Sequence, residues 1–260
     1  MSARALCALL VAASILGCRS RASKASGEIL APLEAPSWRV ELDVEGFGPA
    51  VAALPLAAKS PRPVLIALHG DSDRPEWQCG SWRGIVGSRA FVLCPRGRPR
   101  GDGSGVDARY TLGSVQDTER ELRSALGALK RRFGEHVAKG PVLLSGYGLG
   151  AEAAAALARQ QPSFFQRVVL VGRDVAAWSP TLAQLFGKGG GERVLFVCTS
   201  AECRAQAELR AALTRRTGAQ ARVAAPAELG PWFDAALVGA LRGEFAWLIE
   251  GDRRWSVPEP

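Results

Sequence analysis

Val142-Leu143-Leu144-Ser145-Gly146-Tyr147-Gly148-Leu149-Gly150 is an apolar run that breaks into three glycines at alternate positions, and residues 151–160 follow it as an alanine-rich segment. A short, continuous apolar run reads as a strand buried on both faces, and the alanine-rich segment reads as a helix. The glycines fall where the backbone must turn sharply between the two. Runs of the same kind recur at Val64-Leu65-Ile66-Ala67-Leu68, Ala90-Phe91-Val92-Leu93, Val168-Val169-Leu170-Val171 and Val194-Leu195-Phe196-Val197, with a last strand over residues 221–225. Amphipathic helical stretches are expected at about 115–133, 151–160, 180–186, 202–216 and 232–249. Strands alternating with helices predict right-handed crossovers and an α/β class: a doubly wound, mostly parallel sheet with helices on both faces and no large cap domain. Ahead of it, Trp38-Arg39-Val40-Glu41-Leu42-Asp43-Val44 alternates apolar and polar residues, and residues 50–56 supply the partner of an opening antiparallel hairpin.

In such a sheet ligands bind outside the carboxyl ends of the strands. That rule gathers the loops at 69–78, 95–110, 146–150, 172–180, 199–203 and 226–233 on one functional face and leaves His136 on the opposite rim. Arg96, Arg98, Arg100 and Arg109 lie in the second of these loops among glycines. Guanidinium groups grip carboxylates and phosphates bidentately, so the four define a candidate anion-binding mouth, set against the plainer reading of a solvated, arginine-rich loop. Trp77, Trp82, Trp178 and Trp232 lie near the same face, either lining a pocket or covering loops. Asp102, Asp107 and Glu228 read as solvated loop charges.

Leu68-His69-Gly70 directly after a strand, together with the turn at 145–150, resembles the two signature motifs of the α/β-hydrolase superfamily over about residues 38–250. Within that superfamily the chain is similar to small single-domain esterases, dienelactone hydrolases and thioesterases. The resemblance implies that His69 and Gly70 open the oxyanion-hole loop, that Gly146 and Gly150 flank the nucleophile elbow, and that Leu149 supplies an oxyanion amide. It also puts Gly148 in the nucleophile's place and Pro231, in Gly230-Pro231-Trp232-Phe233, in the place of the catalytic base. The acid's place falls in the loop at 198–203, with Asp174 as the alternative. Covalent acyl transfer needs an oxygen or sulfur at the elbow and an imidazole to carry its proton. Neither position offers one, so the expectation is a catalytically silent relative with no catalytic residue, metal or cofactor, acting in binding or scaffolding. The alternatives are an esterase- or thioesterase-type hydrolase using non-standard residues, or another enzyme class on the same fold. Ser145, three residues before the apex, is expected to be packed in its strand. Asp71 and Asp73 beside His69 read either as an acid–base or metal site or, more plainly, as carboxylates capping the next helix.

The N-terminus carries Arg4, an apolar run over residues 5–16, and Ile15-Leu16-Gly17-Cys18. This resembles a bacterial lipoprotein signal peptide (residues 1–17) ending in a lipobox, with Cys18 acylated; an ordinary secretory peptide is the alternative. Residues 18–36 are small, polar and proline-punctuated, which suits a flexible tether; residues 37–252 form the hydrolase-like domain and 253–260 a C-terminal tail. Setting aside Cys7 and Cys18 leaves Cys79, Cys94, Cys198 and Cys203. Export permits disulfides, and order along the chain suggests Cys79–Cys94 and Cys198–Cys203, one of three connectivities. A net charge of +8 in 260 residues favours anionic partners. No nucleic-acid reader motif accompanies it. The expected setting is the cell envelope, on the periplasmic face of the outer membrane or the cell surface. The partners expected there are the membrane through Cys18 and an anionic small molecule or envelope protein.

Overall fold

In the computed structural model, which describes residues 29–172, 174–225 and 233–256, strands and helices alternate almost throughout. The opening hairpin is β1 (Arg39–Leu42) and β2 (Ala50–Ala53). It is followed by β3 (Val64–Leu68), α1 (Pro75–Val86), β4 (Phe91–Cys94), β5 (Arg98–Arg100), β6 (Arg109–Thr111) and α2 (Val115–Phe133). Then come β7 (Leu143–Tyr147), α3 (Leu149–Gln160), β8 (Arg167–Val171), α4 (Pro180–Lys188), β9 (Arg193–Val197), α5 (Ala201–Arg215), β10 (Gln220–Ala224) and α6 (Ala235–Ile249).

Among the described residues, eight strands form one sheet in the order β1-β2-β4-β3-β7-β8-β9-β10. Pairing is antiparallel for β1 with β2 and β2 with β4, and parallel from β4 to β10. This is the α/β-hydrolase fold. The chain runs from β3 outward to β4 and then returns past β3 to β7. The carboxyl ends of β3 and β7 therefore flank a topological switch point, where the loops diverge and leave a crevice.

Alternation along each strand sends side chains into two cores. Val64, Ile66 and Leu68 face one core, shared with α2 to α5, whereas Leu65 and Ala67 face the other, shared with α1 and α6. The last carbonyls of a helix have no intrahelical partner. At the end of α6 two strand arginines supply the donors: Arg167 Nη1 donates to Leu248 O at 2.6 Å and Glu250 O at 2.9 Å, and Arg193 Nη1 donates to Trp247 O.

Both expected disulfides are present, Cys79–Cys94 tying α1 to β4 and Cys198–Cys203 closing the loop after β9. The packed body extends beyond residues 37–252 at both ends. Leu33 is buried, and Leu30 and Leu33 donate their N–H groups to Lys59 O and Ala58 O at 3.0 Å. Trp255 is buried edge-on against Phe245, with ring centroids 5.4 Å apart. The expected signal peptide, with Cys18, lies outside the described residues.

Candidate functional site

The glycines of the turn at 145–150 have separate physical causes. A Cβ on Gly146 would lie 2.0 Å from Gly150 O, and one on Gly150 would lie 2.4 Å from Leu68 O and 2.6 Å from His69 O. Both positions are closed to any side chain. Gly148, at the apex, has φ +53° and ψ −122°, a conformation that costs a non-glycine residue about 1–3 kcal/mol. Its surroundings are open, since a Cβ there would meet only Gly70 Cα at 3.8 Å. The apex is fixed by Gly148 N–H donating to Val171 O at 3.0 Å and by Ala151 N–H donating to Gly148 O at 2.8 Å. The elbow keeps its shape and has room for a side chain at its tip, but the tip carries none.

Around it lies a cleft of about 500 Å³, within the range of small-molecule sites. Gly70 to Asp73 after β3, Trp77, Gln78 and Ser81 of α1, Tyr147 to Leu149, Gly172, Thr199 and Phe233 line it. Tyr147 packs edge-on to Phe233 at 5.5 Å between centroids. Burial, and then the Asp73 and Asp234 carboxylates, push the Tyr147 phenol above its ordinary range, so its oxygen stays protonated at neutral pH. Leu149 opens α3 at the cleft, where the first N–H groups of a helix have no acceptor one turn back; that of Ala151 is taken by Gly148 O.

The other expected site residues divide between the cleft and the scaffold. His69 is fully buried, its Nδ1 2.7 Å from Gly70 O and its Nε2 2.9 Å from Arg96 O. The ring thus joins the loops after β3 and β4. His136 lies on the far rim, its Nε2 2.9 Å from Ala31 O. Ser145 is buried in β7 between Ala67 and Val169. Asp73 does not cap α1, whose N-cap Arg74 makes no side-chain cap. It braces the loop instead: Oδ2 accepts from Gly70 N at 3.3 Å and Gln78 Nε2 at 3.2 Å, and Oδ1 accepts from Arg74 N at 2.7 Å. Trp82 and Trp178 are buried, while Trp77 is half exposed at the cleft. Glu202 lies in the first turn of α5, which Ser200 caps through Cys203 N at 3.2 Å. Pro231, Glu228, Trp232 and the Asp174 side chain lie outside what the structure describes.

The anion-binding mouth expected from Arg96, Arg98, Arg100 and Arg109 is not assembled, because none of the four lines the cleft. Arg96 turns inward to Glu41 at 2.6 Å and Glu76 at 3.0 Å. Arg98 pairs with Asp117 at 2.6 Å, Arg100 with Asp71 at 3.1 Å, and the Arg109 guanidinium lies over Trp77 at 4.8 Å. Each has an acceptor or a ring within reach inside the protein; the antiparallel ribbon β5–β6 carries Arg98, Arg100 and Arg109, with Arg100 opposite Arg109, while Arg96 lies outside it. Burial alone would push the Glu76 carboxyl up, but its own backbone N–H and the Arg96 and Arg74 guanidiniums hold it below the ordinary carboxylate range.

A depressed carboxyl stabilises the fold above its unfolded pKa, and that contribution is lost as the pH falls through the folded value. Glu76→Gln is therefore expected to be about 1–2 kcal/mol less stable than wild type at pH 7. The gap should close as the pH falls through and below the ordinary carboxylate range and wild type protonates. Urea melts of both proteins from pH 7 to pH 3 check this; a gap that stays constant with pH would contradict it.

No protein-family model and no curated protein matches the chain. Solved structures do resemble it. An S-formylglutathione hydrolase from Agrobacterium tumefaciens is 15% identical with a TM-score of 0.56, covering 86% of this chain and 99% of its own. Est1E from Butyrivibrio proteoclasticus is 12% identical, also at 0.56, covering 82% and 99%. TT1662 from Thermus thermophilus is 19% identical at 0.56, covering 82% and 98%. At these identities the likeness establishes the α/β-hydrolase fold.

Proposed function

We propose that the cleft binds a small, partly apolar ligand and performs no serine-type covalent hydrolysis on it. The observation that carries this reading is Gly148 at the elbow apex. The strained backbone that elsewhere presents a nucleophile is retained, with room for a side chain, yet no oxygen or sulfur stands there. In support, both histidines of the chain are held by backbone carbonyls, and neither lines the cleft. The sequence places Pro231 where a base is expected.

A second reading is esterase-type hydrolysis by rearranged residues, and the comparisons favour it at least as well, since solved neighbours of this fold include a thermostable esterase, a ferulic acid esterase and a carboxylesterase. The cleft's aliphatic hydroxyls, on Ser72, Ser81 and Thr199, are the groups such chemistry would use, beside the Tyr147 phenol. Ser72 has φ +54°, a strained backbone of the sort found at functional sites.

One experiment separates the two. Under the binding reading wild type neither hydrolyses a short-chain p-nitrophenyl ester nor is labelled by a fluorophosphonate. Gly148→Ser folds at a cost of about 1–3 kcal/mol and gains neither property, because among the described residues no histidine lines the cleft to take the proton of the new hydroxyl. Turnover by wild type that disappears in Ser81→Ala or Thr199→Ala would establish the hydrolytic reading instead.

We also place the protein at the cell envelope, anchored through an acylated Cys18. The lipobox-like stretch 15–18 supports this, as does the pair of disulfides, a type of bond that persists outside the cytosol. Mass spectrometry of the membrane-extracted protein should show a diacylglycerol-bearing N-terminal cysteine; an unmodified N-terminus would remove the anchor.

A further inference from the structure

In the parallel part of the sheet the loops that enter the strands lie opposite their carboxyl ends, so the fold has a second rim, turned away from the cleft. The first described residues lie on that rim. Leu30 donates its N–H to Lys59 O at 3.0 Å, just ahead of β3, and His136 Nε2 lies 2.9 Å from Ala31 O. Cys18 stands eleven residues before Ile29, a length of chain that spans at most about 40 Å. An acyl group on Cys18 therefore holds the protein by this rim. The attachment limits distance but does not decide which face turns to the bilayer.

Charge on the rim does. All four lysines among the described residues are exposed there: Lys59, Lys130 in the last turn of α2, Lys139 ahead of β7 and Lys188 at the end of α4. Arg216 after α5 and Arg253 after α6 are exposed beside them. Among the described residues no carboxylate pairs with any of these six side chains. The neighbouring carboxylates are taken by other cations: Glu192 by Arg167 at 2.7 Å, Glu250 by Arg193 at 3.0 Å and Asp252 by Arg254 at 2.5 Å. Glu34 and Glu135 remain, too few to balance the six. A notch of about 340 Å³ has Lys139 and Arg253 in its wall, with room for a phosphate group. The cleft end is mixed by comparison, with Arg98 paired to Asp117, Arg100 paired to Asp71, and Asp102 and Asp107 nearby.

We infer that this rim docks on an anionic phospholipid surface and turns the cleft to the aqueous side. The direction of approach rests on the envelope reading above, since Cys18 is what brings the rim to the bilayer. Exposed charges act over about 8 Å at physiological salt, so the acyl group supplies proximity and the cations supply orientation. A zwitterionic surface has no net charge and leaves the protein attached but undirected.

Two measurements test the docking. In the first, the acylated protein is placed in vesicles of phosphatidylcholine alone, or of phosphatidylcholine and phosphatidylglycerol in equal parts. It is treated briefly with acetic anhydride, and acetylation of each lysine is read by peptide mass spectrometry. Lys59 and Lys139 should react several-fold more slowly on the mixed vesicles, and high salt should abolish the difference. Equal reaction on the two surfaces overturns the docking. The second measurement needs no acyl group: the full chain carrying Cys18→Ala is sedimented with the same vesicles. The apolar run at residues 5–16 contributes alike to both, so the ratio reports charge. The mixed vesicles should be preferred about tenfold, and Lys139→Glu with Arg253→Glu should remove the preference. Arg120→Glu with Arg204→Glu, an equal charge change in the first turns of α2 and α5 at the cleft end, should retain it. No preference at the outset, or equal loss in both double variants, overturns the docking and leaves the anchor standing. An unmodified Cys18 removes the anchor, and the second measurement still decides the docking.

Discussion

Gly146→Ala is expected to destabilise the protein by about 4 kcal/mol or more, while Gly148→Ala, two residues away, costs about 1–3 kcal/mol. The difference comes from what each new methyl meets. At 146 the Cβ falls 2.0 Å from Gly150 O, 2.4 Å from Gly150 C and 2.6 Å from Ala151 N, all main-chain atoms at the start of α3. Relief requires α3 to move off β7, and α3 carries Ala151, Ala154, Leu157 and Ala158 into the larger core. At 148 the methyl enters open space and the cost is only the backbone's. Denaturant melts of the two variants against wild type check the order; equal losses would mean that the close approach at 146 is slack. The functional consequence is that the elbow's shape is required by helix–strand packing, independently of any nucleophile. A chain can lose the catalytic atom at 148 and still keep the turn.

That separation explains why the fold was legible in the sequence. The apolar runs at 64–68, 168–171 and 194–197 are central strands covered on both faces, so burial left every position apolar and the pattern unambiguous. Helix α2 was legible over its whole length because its apolar face repeats at Leu122, Ala125, Leu126 and Leu129, with Ser114 as a cap accepting from Asp117 N. Helix α1 was legible only as the helix, without bounds, that Asp71 and Asp73 were expected to cap. Gly80 and Gly84 lower its propensity, although Pro75 at its first turn and the spacing of Gln78, Cys79, Trp82, Ile85 and Val86 are the signals that could have found it. The ribbon β5–β6 has no apolar pattern at all. Its strands are three residues long and arginine-rich, and are aligned by the bridge between Asp73 and Tyr110, a contact between distant parts of the chain.

The candidate site was legible where it depends on main-chain geometry and illegible where it depends on side-chain partners. Gly146, Gly148, Leu149 and Gly150 lie where the motif puts them. Gln78 was hidden with α1, and Thr199, Ser81 and Phe233 reach the cleft only through the packing of separate elements. The arginines were misread for a related reason. Sequence position assigns a loop to a face, but the direction of a long side chain follows from the nearest acceptor, and several acceptors lie inside.

Arg96 shows this most sharply, and its removal is the second large expected effect. Its guanidinium donates to Pro49 O and Glu41 Oε1, both at 2.6 Å, pairs with Glu76 Oε1 at 3.0 Å, and lies 5.0 Å from the centre of the Tyr110 ring. Its own backbone is held too: the N–H donates to Glu121 Oε1 at 2.8 Å, and the carbonyl faces His69 Nε2. The residue therefore fastens the hairpin, α1, α2, the ribbon and the loop that walls the cleft. Arg96→Met keeps the apolar stem but removes the guanidinium from Glu76 Oε1 and leaves that carboxylate, with only Arg74 at 3.2 Å, beside a thioether. Removing one member of a buried ionic group costs about 3–5 kcal/mol, which for a domain of this size lowers Tm by roughly 10 °C. Glu76 then loses one of the two cations that hold its carboxyl down, Arg74 remaining at 3.2 Å, so the Arg96→Met protein should recover part of the loss as the pH falls and Glu76 takes up a proton. Melting curves at pH 7 and pH 4 decide between this and the surface reading. An exposed anion-reading arginine would leave Tm nearly unchanged at both pH values, and that result would return Arg96 to the mouth of the cleft.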